Sequence, residues 1–129
     1  MKLRFARHTN NLEKVKSFYI NVLGLELLGS FENHNNYDGI FIGKPNLGWH
    51  LEFTKSDGIV YFNFGEEDYL VFYPENEIEY HEIINRILAN KIEFIESRNP
   101  YWNDPELSGG KLILDPDGFG IIISNLKTL

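Results

Sequence analysis

The stretch VLGLELL, residues 22–28, decides the fold, because the same order of features recurs in ILANKIEFI, residues 87–95. Each stretch begins with the apolar end of a helix and passes through a residue that tolerates the left-handed backbone conformation. Each then continues into a strand in which a Glu stands between apolar residues. Identity between the two stretches is low, so the recurrence predicts a structural duplication with one copy in each half of the chain.

The residues around the first stretch predict one βαβββ series. A strand at residues 3–7 precedes a helix that Asn10 or Asn11 can cap, and Gly24 can end that helix in the left-handed conformation. Three β-rich stretches, separated by turn residues, then follow. These predicted strands are residues 25–31, 37–43 and 49–54, with a hairpin loop at residues 31–36.

The second half predicts the same series again. A strand at residues 68–73 is followed by a helix that begins near Asn76 and that Asn90 can close. Three further strands are predicted in KIEFIES (91–97), GGKLILD (109–115) and FGIIIS (119–124). The DPDG turn at residues 115–118 has ordinary turn residues and needs no catalytic role. We therefore predict an α+β fold of two tandem βαβββ modules, whose four-stranded sheets curve around a cleft.

Composition excludes several classes of function. The 129 residues are 43% hydrophobic and 15% aromatic, which is enough to bury a core. The 12 Lys and Arg residues are outnumbered by 19 Asp and Glu residues, and the basic residues are scattered along the chain. Nucleic acid is therefore not an expected partner. The absence of cysteine excludes disulfides, thiolate nucleophiles and Cys-based metal sites. No long apolar run follows the first basic residues, so we expect no secretory signal, no membrane partner and a cytoplasmic location.

Two stretches together resemble a known superfamily. HTNNLEKVKSFYINVLGLELL (8–28) and LDPDGFGIII (114–123) are similar to the opening helix and closing hairpin of the vicinal-oxygen-chelate superfamily. That superfamily includes glyoxalase I, bleomycin and fosfomycin resistance proteins and extradiol dioxygenases. WHLEFT (49–54), YLVFY (69–73) and NPYW (99–102) narrow the resemblance to its YycE-like branch. The resemblance covers essentially the whole chain.

The resemblance implies a domain organisation and an assembly. It implies one glyoxalase-like domain over residues 1–129, made of a module at 1–55, a linker at 56–67 and a module at 68–129. In many members paired chains complete the clefts, so a homodimer is expected.

Enzymes of the superfamily usually hold one divalent ion with four side chains, taken from the first and last strands of the two modules. The resemblance places these positions at Arg4, Glu52, Tyr69 and Ile122. Only Glu52 is a credible ligand, because Ile122 has no donor atom and the guanidinium of Arg4 repels a divalent cation. We therefore predict no metal cofactor, and a charge-assisted pair of Arg4 with Glu52, with one or two hydrogen bonds, in the place of the ion.

Two histidines leave a metal-dependent alternative open. Residues two apart in a strand share a face, so His50 accompanies Glu52 and His8 accompanies Arg4. His8, His50 and Glu52 would form a two-His-one-carboxylate set, which non-haem Fe(II) oxygenases and some zinc sites use. One divalent ion bound there would indicate a lyase, an isomerase or a dioxygenase.

Without a metal, the predicted cleft suits a small ligand. Its predicted residues are Arg4, His8, His50, Glu52, Tyr69, Tyr73, Trp102 and Ile122. Tyr101 and Trp102 lie in the polar loop 97–110, where they can close over a flat ligand or cover a sheet edge or dimer seam. We predict a protein that binds an aromatic or partly anionic small molecule, similar in class to the resistance proteins that sequester drugs. Whether it catalyses a reaction stays open, as does a purely structural or regulatory role.

Overall fold

The computed structural model describes residues 1–125. The chain divides into two compact units, of which the first is Met1–Phe62 and the second begins at Asn63. This boundary lies inside the predicted linker. Asn10 binds the segment that follows the last strand of the first unit and holds it against that unit. The Asn10 side chain donates to the carbonyl of Val60 at 2.7 Å and accepts from its N–H at 2.8 Å.

The first unit is a single βαβββ series. Its elements are β1 (Leu3–His8), α1 (Leu12–Ser17), a π-helical turn (Phe18–Val22), β2 (Glu26–His34), β3 (Tyr37–Gly43) and β4 (Trp49–Lys55). Asn11 caps the start of α1, because its side chain accepts from the backbone N–H of Lys14 at 3.0 Å. The helical segment ends at Gly24, whose φ of 78° lies in the left-handed region as predicted.

The four strands form one sheet in the order β1-β4-β3-β2, with β1 and β4 parallel and the other pairs antiparallel. One face is mainly apolar, with Arg7 opposite Phe53 as an exception. Its buried apolar side chains are Ile40, Ile42, Leu51 and Phe53. The ring of Tyr19 packs on this face, 4.8 Å from that of Phe53. Alternation along the strands places a different set of residues on the opposite side. This side, called the polar face below, carries Arg4, Ala6, His8, Phe31, Gly39, Phe41, His50, Glu52 and Thr54.

The second unit has fewer strands. Its elements are β5 (Tyr69–Phe72), α2 (Glu77–Ala89), a 3₁₀ turn (Pro100–Asn103), β6 (Lys111–Leu114) and β7 (Gly120–Ile123). The sheet order is β5-β7-β6, with β5 and β7 parallel. The side chain of Asn76 caps α2 by accepting from the N–H of Glu79 at 2.9 Å, as predicted.

The prediction of a strand at residues 91–97 was wrong. Within residues 1–125 this segment makes only an isolated bridge between Ile95 and Leu112, so the second sheet has three regular strands instead of four. The backbone at both ends of the segment has other partners. At its start, the N–H groups of Lys91 and Ile92 donate to the carbonyls of Leu88 and Ile87 at the end of α2. The side chain of Asn103 accepts from the N–H of Ser97 at 2.9 Å and donates to its carbonyl at 2.8 Å.

Two smaller predictions about turns were also wrong. Asn90 has φ of −88°, and the left-handed residue after α2 is Lys91, with φ of 56°. β2 continues to His34, so the reversal occurs at Asn35 and Asn36, with φ of 51° and 69°. Asparagine tolerates positive φ, which allows a tighter hairpin than the predicted loop at residues 31–36.

The DPDG turn is built by one buried carboxylate. Asp115 is 4% exposed and accepts from the N–H groups of Asp117 at 2.9 Å and Phe119 at 3.0 Å. Gly118 completes the reversal with φ of 89°. The carboxylate therefore satisfies backbone donors of the turn itself. Across residues 1–125, no helix has both the length and the apolar character needed to cross a bilayer.

Candidate functional site

Arg4, His50 and Glu52 come together on the polar face. In the parallel pairing of β1 with β4, Arg4 lies opposite His50, and Ala6 lies opposite Glu52. The Nε–H of Arg4 donates to Nε2 of His50 at 2.8 Å. One outer nitrogen of Arg4, Nη1, lies 3.8 Å from Oε2 of Glu52. The parity argument from the sequence is therefore confirmed for these three side chains.

The predicted charge pair is present, but in a different geometry. A separation of 3.8 Å makes an ion contact between Arg4 and Glu52 and is too long for a hydrogen bond. The inner nitrogen of Arg4 is committed to His50 instead. Because arginine can only donate, Nε2 of His50 is the acceptor of this bond.

This geometry leaves hydrogen-bonding capacity unused. The Arg4 side chain is 50% exposed, and its outer nitrogens donate to no residue that the structure describes. The Glu52 side chain is only 16% exposed, and its carboxylate accepts no hydrogen bond from residues 1–125. Glu52 therefore has acceptor capacity that no described residue uses.

Aromatic rings border the charged group, and sequence reasoning missed them. Phe41 lies opposite Glu52 in the pairing of β3 with β4. The centroid of its ring is 4.9 Å from Cζ of Arg4. The ring of Phe31 lies 5.9 Å from that of Phe41 and covers Gly39, where a side chain would collide with it. The alternation in FIG (41–43) and the nearby Gly39 were the available signals that Phe41 lies on this face. The strand register that makes Phe41 a neighbour of Glu52 could not be read from the sequence.

His8 lies on the polar face but belongs to a separate group. Its Nδ1 is 2.9 Å from Oγ1 of Thr54, and its Nε2 is 3.2 Å from Oγ of Ser56. Its ring meets the edge of Tyr37 at 6.0 Å. His8 is therefore not brought together with His50 and Glu52. Within the part of the chain that the structure describes, no three His, Asp or Glu side chains are placed to hold a metal ion.

The four positions that the resemblance assigns to metal ligands do not suit a divalent cation. Arg4 supplies a positive charge next to Glu52. The hydroxyl of Tyr69 is 2.7 Å from Oγ of Ser97. Ile122 is fully buried and has no side-chain donor atom. Glu52 alone has the chemistry of a ligand.

The second unit brings two of its predicted residues together. The ring of Tyr69 lies over Gly120 and meets the edge of Trp102 at 6.4 Å. Trp102 also packs against Tyr101 at 4.9 Å, so the aromatic loop contacts β5 of its own unit. Tyr73, which is 39% exposed and follows the end of β5, has no such contact among the residues described.

Family models and relatives agree with this architecture. The YycE-like N-terminal domain matches residues 3–54, and the YycE-like C-terminal domain matches residues 67–125. Protein YycE of Bacillus subtilis (strain 168) is 38% identical over 127 residues, which cover 98% of this chain and 88% of that protein. A 2.0 Å crystal structure of a YycE protein of unknown function from the same species has a TM-score of 0.84 and 36% identity, and the match covers 99% of this chain and 91% of that one.

More distant structures share the fold alone. Glyoxalase I of Leishmania major has a TM-score of 0.73 at 18% identity, with 97% of this chain and 86% of that chain covered. A FosX fosfomycin resistance protein of Listeria monocytogenes, complexed with Mn(II) and 1S,2S-dihydroxypropylphosphonic acid, has a TM-score of 0.69 at 16% identity, with 98% and 90% covered. With two matching family models and a relative that covers nearly its whole length, this chain belongs to the YycE-like family.

Proposed function

We propose that this protein binds a small molecule on the polar face of its first sheet, with Arg4 instead of a divalent ion as the charged centre. The observation that carries the proposal is the anchored guanidinium. Its inner nitrogen donates to His50 at 2.8 Å, and its outer nitrogen lies 3.8 Å from Glu52. A guanidinium keeps its charge at any working pH, so it performs the neutralising role that an ion has in other members.

The same side chains support an aromatic or partly anionic ligand. The outer nitrogens of Arg4 form a planar fork of donors, which matches the two oxygens of a carboxylate or phosphonate. Phe41 and Phe31 extend the face with apolar rings next to that fork. An aromatic ligand would gain contact area with these rings while its charged group meets Arg4.

Metal-free binding of this kind requires no catalytic group. His50 is committed to Arg4 through Nε2, and Glu52 is the further ionisable side chain that contacts Arg4. We therefore place the protein with those superfamily members that bind a ligand and do not transform it.

A ligand screen tests this proposal. Thermal shift and calorimetry with a panel of aromatic carboxylates, phosphonates and amino acids should reveal saturable binding. Arg4→Ala should abolish that binding, whereas Arg98→Ala should leave it unchanged. Arg98 is a matched control, because it is an arginine in an exposed ion pair with Glu66 at 3.0 Å in the second unit. Binding that survives Arg4→Ala would contradict the proposal.

Metal content tests the part of the proposal that binding requires no metal ion. Protein purified without chelator should contain less than stoichiometric Ni, Zn, Mn and Fe by elemental analysis. None of these ions should raise its melting temperature. Stoichiometric metal that is lost in His50→Ala would overturn the proposal and favour a metalloenzyme.

A further inference from the structure

We infer that the ligand is an aromatic α-amino acid, bound with its carboxylate on Arg4 and its ammonium on Glu52. This inference rests on the proposed function and names the ligand class of that same site. It is carried by the pairing of one fixed cation with one fixed anion, each with unused hydrogen-bonding capacity, beside two aromatic rings.

Arg4 selects the carboxylate and its orientation. Its Nε–H is already used by His50 at 2.8 Å, so a ligand anion cannot take the side-on geometry that needs this nitrogen. The two outer nitrogens remain, and together they receive both oxygens of one carboxylate in the end-on geometry. Because the bond to His50 already restricts the rotamers of Arg4, this side chain loses less conformational entropy when the ligand binds.

Glu52 selects a donor next to that carboxylate. Its side chain is 16% exposed and accepts no hydrogen bond from the described part of the chain. Its Oε2 lies 3.8 Å from Nη1 of Arg4, so the anionic and cationic groups of the ligand must lie close together. An α-ammonium group, which carries three donors on the carbon that bears the carboxylate, meets this requirement.

Charge balance favours the zwitterion over simpler ligands. A simple carboxylate would satisfy Arg4 but place a second negative charge beside Glu52. A phosphate dianion would increase that repulsion. An amine without a carboxylate would satisfy Glu52 and leave the positive charge of Arg4 unmatched. A zwitterion pairs with both groups and leaves the net charge of the site unchanged.

The rings of the polar face favour an aromatic side chain on this amino acid. Phe41 and Phe31 lie 5.9 Å apart at a tilted angle of 46°, and Phe41 adjoins both Arg4 and His50. A ligand ring at this position would contact aromatic edges and faces, an arrangement that adds to the burial of apolar area.

Calorimetry with four related compounds tests the inference. L-phenylalanine should bind about tenfold or more tightly than 3-phenylpropionate, which lacks the ammonium, and phenethylamine, which lacks the carboxylate. L-alanine, which lacks the ring, should also bind more weakly. Glu52→Gln keeps the shape of the side chain and removes its charge. This variant should weaken the binding of phenylalanine and remove its advantage over 3-phenylpropionate, while Arg98→Gln should change neither.

The outcomes separate the inference from the proposed function. If 3-phenylpropionate binds as tightly as phenylalanine and both are lost in Arg4→Ala, the ligand class is wrong and the proposed function stands. If no compound of the wider panel binds, both are wrong. Should Glu52→Gln fail to fold, the comparison of the four compounds on the unchanged protein still decides the question.

Discussion

Arg4 shows how one side chain can determine the chemistry available on a sheet face. Its guanidinium contacts three neighbours at once, namely His50, Glu52 and Phe41. Each contact uses a different property of the group, since Nε–H donates, the net charge attracts the carboxylate, and the cation lies over the aromatic ring. Lysine could supply only the charge, so Arg4→Lys would not be a conservative substitution here.

The identity of residue 4 should control metal affinity. Arg4→His removes the repelling cation and adds an imidazole opposite His50 and near Glu52. We expect this variant to bind Zn²⁺ or Ni²⁺ at least about tenfold more tightly than the unchanged protein, because two imidazoles and a carboxylate form a ligand set. Calorimetry in chelator-free buffer measures this difference. Arg4→Gln is the control, and equal affinity in both variants would show that charge removal alone is responsible.

Strand parity placed the charged residues correctly, but their partners depended on register. Residues two apart in a strand share a face whatever the fold, so the sequence alone could bring His50 beside Glu52. The bond from Arg4 to His50 and the approach of Phe41 depend on how β1 and β3 are aligned against β4. Register is set by long-range packing and turn geometry, which a single sequence does not display.

At the scale of elements, the ends of helices were the most predictable features. The caps at Asn11 and Asn76 depend on a local hydrogen bond within three residues, so they can be read from sequence. The strand predicted at residues 91–97 failed because Ser97 finds its backbone partners in the side chain of Asn103. Asn103 lies six residues after Ser97, and an asparagine at that spacing does not by itself indicate that a strand is interrupted.

The hairpin of β2 and β3 should be sensitive to a side chain at Gly39. A methyl group there would overlap the ring of Phe31, whereas at Gly29 the nearest atom, on Phe41, is 3.5 Å away. We expect Gly39→Ala to lower the free energy of unfolding by about 1–2 kcal/mol, because the ring must leave its rotamer. Gly29→Ala is the matched control and should change stability by less than about 0.5 kcal/mol. Urea denaturation measures both, and equal effects would contradict the proposed overlap.

Helix α2 contains a tyrosine whose burial should appear at alkaline pH. Burial of Tyr80 raises its pKa above the ordinary value of 10.0, because the phenolate loses hydration. As pH rises past this ordinary value, the unfolded chain ionises first. The free energy of unfolding therefore falls until pH passes the raised pKa of the folded state.

Tyr80→Phe should lack this loss of stability. Urea denaturation between about pH 9 and about pH 11 should show the unchanged protein losing stability relative to the variant as pH rises. Tyr61→Phe, which alters an 89% exposed side chain, is the control. A stability difference between the protein and Tyr80→Phe that stays constant over this range would show that the hydroxyl is not desolvated.

At the scale of the whole molecule, duplication was the property that the sequence showed most clearly. The recurrence of helix end, left-handed residue and strand predicts two modules, and the chain divides into two compact units at Phe62. The predicted linker at residues 56–67 contains that boundary, although part of the linker is attached to the first unit through Asn10. Periodicity cannot reveal such an attachment, because neither Asn10 nor Val60 belongs to a repeating pattern.

The homodimer implied by the superfamily remains a prediction. Light scattering coupled to size-exclusion chromatography should give a mass of twice the 15.1 kDa of one chain. Dilution to nanomolar concentration with mass photometry distinguishes a stable pair from a transient one. A mass equal to one chain at every concentration would contradict the prediction.

The double hydrogen bond of Asn10 to Val60 has a consequence for the connection between the two halves. A side-chain amide offers the same donor and acceptor as a peptide group, so Asn10 imitates one rung of a β-ladder without a strand behind it. The chain beyond Val60 is also held on each side of the boundary, because Phe62 contacts Arg7 of the first unit and Phe64 packs against Phe119 of the second. The free connection between the two halves is therefore much shorter than the predicted linker at residues 56–67. Deletions in this short connection should therefore be tolerated far less than the same deletions in a free loop as long as the predicted linker.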